Sequence, residues 1–110
     1  ENSNSGKLSD EFIREFKDVI NWINVFYNQI LSDNILVELQ DTINWTYYFI
    51  LADSSFTIMK KFITKAEPHY FKNFKVSHFN DQQINELQRI IDLKNVFEKD
   101  KDDFKLKKTI

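Results

Sequence analysis

The chain has no cysteine, and only one glycine (Gly6) and one proline (Pro68) in 110 residues. Without a thiol there is no disulfide framework, no thiolate zinc or iron–sulfur site and no cysteine nucleophile. Compartment stays open, cytoplasmic or exported with a signal removed, because export does not require disulfides. One glycine is too few for the phosphate-cradling loops of nucleotide-binding folds, so no cofactor is expected. Tight hairpins draw on Asn-Gly and Asp-Gly pairs, and none is present, which predicts an all-α protein. Arginine and alanine occur twice each against thirteen lysines, thirteen isoleucines and eleven asparagines, the bias of an AT-rich genome. The most apolar run, residues 43–52 (INWTYYFILA), has ten residues. A bilayer span needs roughly 20, so no transmembrane segment is expected.

What is present is apolar mass: 42% hydrophobic residues, including eleven phenylalanines, four tyrosines and two tryptophans. That is enough to offset chain entropy and exclude intrinsic disorder. A chain of about one hundred residues makes one domain. The expected architecture is a small helical bundle of three to five helices with a long, apolar central helix. The polar lead-in 1–8 precedes the bundle domain 9–99, and residues 100–110 form a charged tail. The lead-in reads either as a boundary in front of the first helix or as the tether of a surface ectodomain whose membrane anchor lies upstream.

Ser9 offers an N-cap, Asp10 and Glu11 suit the first turn, and Leu8 and Ile13 sit in staple positions. A helix from Ser9 to about Leu31 follows. At 100° per residue, Phe12, Phe16, Val19, Ile20, Ile23, Phe26, Tyr27 and Ile30 form its core stripe, with Trp22 on the edge and Val25 nearly opposite. Ser32 caps the next helix, which the pattern carries from about 33 to 66, continuous or merely kinked. The alternative is a break at Asp53-Ser54-Ser55. This helix bears two opposed stripes, Leu36, Leu39, Ile43, Tyr47 and Ile50 against Trp45, Phe49, Ala52, Phe56, Met59 and Ile63. Pro68 ends it near Ala66 and permits a short helix through Asn73. Asn80 with Gln83 forms a capping box, opening a last helix whose stripe is Ile84, Leu87, Ile90, Ile91 and Phe97 and which ends near Lys99. The tail is expected to fray or to dock through Phe104, Leu106 and Ile110.

Net charge is −2, but it is unevenly spread. Residues 1–59 carry net −6, residues 60–80 net +4, and the remainder balances. The segment from Lys60 to Phe79, with Lys60, Lys61, Lys65, Lys72 and Lys75 interleaved with aromatics, has the composition of a weak nucleic-acid binder. Against it, the segment has no arginine, and Phe71, Phe74 and Phe79 fall where a bundle must be closed. His69, His78 and Glu67 form the only cluster of metal-ligand character, without the spacing of a zinc site, so no metal is expected. Every carboxylate fits a cap or a solvated face and no serine stands in a nucleophile elbow, so no catalytic residue is nominated. Asn44-Trp45-Thr46 is a glycosylation sequon within the most apolar segment and is expected to stay unmodified.

The remaining signal is apolar surface beyond one small bundle's need. It nominates Trp22, Val25, Trp45, Tyr48 and Phe49 as a candidate interface, in line with the enrichment of tryptophan and tyrosine at binding hot spots. The expected function is therefore a non-enzymatic helical module that binds a protein partner or a second copy of itself.

Overall fold

The computed structural model describes residues 7–96 and 104–108. Among these there are six α-helices and no strand. They are α1 (Asp10–Phe16), α2 (Trp22–Asn28), α3 (Asp33–Glu38), α4 (Trp45–Leu51), α5 (Phe56–Phe62) and α6 (Asp81–Lys94), with two 3₁₀ segments at Ile63–Lys65 and Pro68–Asn73. The chain packs as two compact units, one within residues 1–43 and one within 44–110.

One device starts every α-helix. The side chain of the preceding Ser or Asn accepts a hydrogen bond from the backbone N–H three residues on: Ser9 from Phe12, Asn21 from Asn24, Ser32 from Ile35, Asn44 from Tyr47, Ser55 from Ile58 and Asn80 from Gln83. Each bond satisfies one of the N–H groups a helix start leaves orphaned. At Asn80 the box is complete, since the Gln83 side chain also accepts from the Asn80 N–H.

These caps correct two expectations. The helix from Ser9 to Leu31 is two helices, because Asn21 takes a new cap after the turn at 17–20. The helix over 33–66 is three helices and a 3₁₀ turn, because Asn44 and Ser55 cap inside it, and Ala52 is already extended. Among the described residues no long apolar central helix forms, and the helix count exceeds three to five. α6 ends at Lys94 and not near Lys99: Asn95 leaves helical geometry (φ −106°, ψ 27°) and its Nδ2 donates to the Ile91 carbonyl. The expectations for residues 1–6, Phe97 and Ile110 lie outside the described residues.

In the first unit the buried side chains are Ile13, Val25, Phe26, Leu31, Ile35, Leu36, Leu39 and Ile43. Arg14 Nε donates to both Glu38 carboxylate oxygens (3.0 and 2.7 Å), tying α1 to α3. That hydrogen bond also raises the guanidinium pKa above its ordinary value. The Gln29 amide donates to the Leu8 carbonyl and accepts from the Leu8 N–H (3.0 and 2.8 Å), pinning the entry of α1 to the exit of α2.

The second unit has an aromatic interior. Trp45 stacks on Phe62 with centroids 4.2 Å apart and planes 12° from parallel. Phe49 meets Trp45, Tyr48 and Phe74, and Phe71 meets Phe74 and Phe104. All seven rings are buried, and such pairs add about 0.5–1.5 kcal/mol each beyond area burial. α6 packs on α5 and on the 3₁₀ turn after it, while α4 packs against both 3₁₀ segments. Long-range bonds fix the loops: Glu67 N–H donates to Thr46 Oγ1 (2.8 Å) and Lys75 N–H to the Phe49 carbonyl (2.9 Å). The tail docks through buried Phe104 and half-buried Leu106, because Gln88 Nε2 donates to the Phe104 carbonyl and Gln88 Oε1 accepts from the Leu106 N–H.

Candidate functional site

The residues nominated as an interface face inward. Val25, Trp45, Tyr48 and Phe49 are all buried, and Trp22 is half-buried with its indole N–H donating to the Lys17 carbonyl (2.9 Å). The side chains expected as the core of the first helix are instead the exposed ones: Phe12, Phe16, Val19, Ile23, Tyr27 and Ile30 are 42%, 38%, 77%, 45%, 70% and 91% accessible. Of the expected stripe, only Phe26 is buried. The reason is phase. A 100° wheel drawn through residues 9–31 assumes one helix, and the turn before Asn21 resets the direction in which α2 side chains point; on α1 itself the buried side chain is Ile13, 100° round from Phe12.

α1 and α2 each present an apolar pair at i, i+4, the spacing that puts two side chains on one helix face. On α1 these are Phe12 and Phe16, whose rings lie 4.5 Å apart. On α2 they are Ile23 and Tyr27, which line a shallow depression with Asn21, Asn24 and Asn28. Val19 lies in the turn between the helices, and Ile30 follows α2. Exposed large apolar residues are fewer in the second unit, where Tyr47, Tyr70, Leu93 and Val96 are the ones among the described residues. Isolated exposed side chains are ordinary, whereas concentrated ones mark binding surfaces. The asparagine side chains beside Ile23 and Tyr27 are engaged locally. Asn21 caps α2, and the Asn28 amide donates to the Asn24 carbonyl and its side-chain oxygen.

A second concavity, about 450 Å³, opens between Leu8, Ile20 and Val25 on its apolar side and Asn24, Asn28 and Gln29 on its polar side. No ionisable side chain lines it. Its chemistry is limited to hydrogen bonding and apolar contact, and both ends of the Gln29 amide are spent on Leu8.

The basic segment divides between surface and interior. Lys60, Lys61, Lys65, Lys72 and Lys75 are exposed, and Lys60 pairs with Glu86 at 2.8 Å. Phe71, Phe74, Val76 and Phe79 are buried, as bundle closure requires, so of the phenylalanine and tyrosine rings over 69–79 only Tyr70 is exposed to stack on a base. The histidines serve the fold. The His69 ring meets Phe104 edge-on, and His78 Nε2 lies 2.7 Å from the Ser54 carbonyl, with Nδ1 3.9 Å from Asp53. Among the described residues no three His, Asp or Glu side chains come together as metal ligands. No helix among them is long and apolar enough to cross a membrane. Asn44 of the sequon is exposed but occupied as the α4 cap, while Trp45 and Thr46 are buried. No protein-family model, curated protein or solved structure matches the chain.

Proposed function

We propose that the protein is a non-enzymatic helical module that works by binding another protein through the exposed apolar side chains of α1, α2 and the segments flanking α2. One observation carries this reading. Phe12, Phe16, Val19, Ile23, Tyr27 and Ile30 stand 38–91% accessible within a stretch of nineteen residues. Leaving that much apolar surface in water forgoes about 25 cal/mol per Å² of burial, which a partner's apolar surface recovers.

The test is a photoreactive side chain placed at Ile30 or Val19, with exposed Thr57 of α5 as the comparison position. Irradiation in an extract should yield a discrete adduct from positions 19 and 30 and none from 57. Val19→Ser and Ile30→Ser should remove binding while changing stability by less than about 0.5 kcal/mol, since neither side chain is packed. Equal labelling from all three positions contradicts the reading.

A further inference from the structure

We propose that the exposed apolar pairs of α1 and α2 are covered by a cationic amphipathic helix of a partner protein. This rests on the binding function proposed above and specifies the partner's chemistry. The first argument is charge. Residues 1–43 carry three cationic and eight anionic side chains, net −5. On α1 the acids sit beside the apolar pair: at 100° per residue Glu15 lies about 60° round the helix from Phe12, and Glu11 follows on the same side. Glu15 and Asp18 make no ion pair among the described residues; of the two cations beside them in sequence, Arg14 is engaged by Glu38, and Lys17 lies about 100° round the helix from Phe16, on the side away from Glu11 and Glu15. An apolar pair flanked on one side by Glu11 and Glu15, in a segment of net negative charge, is complementary to a helix with leucine-like anchors flanked by lysine or arginine.

The second argument is shape. Phe12/Phe16 and Ile23/Tyr27 are i, i+4 ridges, which accept the grooves of another helix. A partner strand has nothing to extend, because the described residues contain no sheet edge. The third argument excludes the symmetric alternative. A two-fold dimer through this surface sets the same patch against itself and brings two units of net −5 together, and like-charge juxtaposition opposes such docking.

The experiment titrates the full chain into three fluorescent helical peptides of ~18 residues, five turns, with one leucine face and a polar face of lysine, glutamine or glutamate. Anisotropy is read at low and high salt. The lysine peptide should bind at least about tenfold more tightly than the glutamate peptide, a difference of about 1.4 kcal/mol, and the advantage should shrink with salt. Phe12→Ser/Phe16→Ser should weaken the lysine and glutamine peptides alike. Glu15→Gln/Asp18→Asn should weaken the lysine peptide alone. Equal affinity for all three peptides overturns the charge assignment and leaves the binding function standing. Binding of none, together with a dimer in sedimentation equilibrium that Phe16→Ser dissolves, overturns the proposal in favour of a second copy. Binding of none by a monomer overturns the helix proposal, and the adducts from positions 19 and 30 then decide whether the binding function stands.

Discussion

Phe49 is fully buried and touches three other rings, Trp45, Tyr48 and Phe74. Truncation leaves a void that those rings cannot fill, so Phe49→Ala and Phe74→Ala should each lower unfolding free energy by about 3–5 kcal/mol in urea denaturation. Lys72 and Lys75, each next to a buried phenylalanine, are exposed, and Lys72→Ala should change stability by less than about 0.5 kcal/mol. At this scale the sequence is a good guide for the phenylalanines between Pro68 and Asn80, which have no polar atom to hold in water and turn inward, while Tyr70 stays exposed. It misled at Val25 and Tyr27, two positions apart, whose burial is the reverse of the expected pattern.

The short helices follow from asparagine and serine. Host propensity ranks both below the straight-chain residues inside a helix, since their side chains compete for nearby backbone groups, and the same competition makes them strong caps. Asn21→Ala should cost about 1 kcal/mol, and Asn21→Ser, which keeps a cap acceptor, only a few tenths. Hydrogen exchange at the Asn24 N–H, the group Asn21 holds, reads this locally. Helix starts at Ser9, Ser32 and Asn80 were legible because each follows a polar or turn-forming stretch and precedes an apolar period. The starts at Asn21 and Asn44 were not, because each asparagine falls inside an apolar period and reads as one polar residue on a longer helix. A helix of seven residues spans two turns, too short for its periodicity to announce a new phase. On α2 the exposed face was lost with the phase: Ile23 and Tyr27 are read as core and Val25 as surface, and the structure has them the other way round.

Over the whole molecule, 60% helix and no strand among the described residues should give a far-UV circular dichroism spectrum with helical minima and no sheet component. Helices this short are marginal alone in water, so they persist only through tertiary ties. The Gln88 amide is one such tie, holding the backbone at both Phe104 and Leu106. Gln88→Ala should cost about 1–3 kcal/mol, two hydrogen bonds at about 1 kcal/mol each plus the exposed backbone groups. The Leu106 amide should then exchange at the rate of an open chain.

The two tryptophans fall one to each unit, and their surroundings differ. Trp22 is half-exposed with its indole N–H bound to the Lys17 carbonyl, whereas Trp45 is 3% exposed and stacked on Phe62. An indole in contact with water emits to the red of one sealed among rings, and collisional quenchers reach the first and not the second. The chain thus carries two intrinsic optical reporters. A Trp22→Phe variant isolates the blue emission of the second unit, and a Trp45→Phe variant that still folds isolates the red emission of the first. Comparing their denaturation midpoints shows, with no label attached, whether the two units come apart together or in sequence.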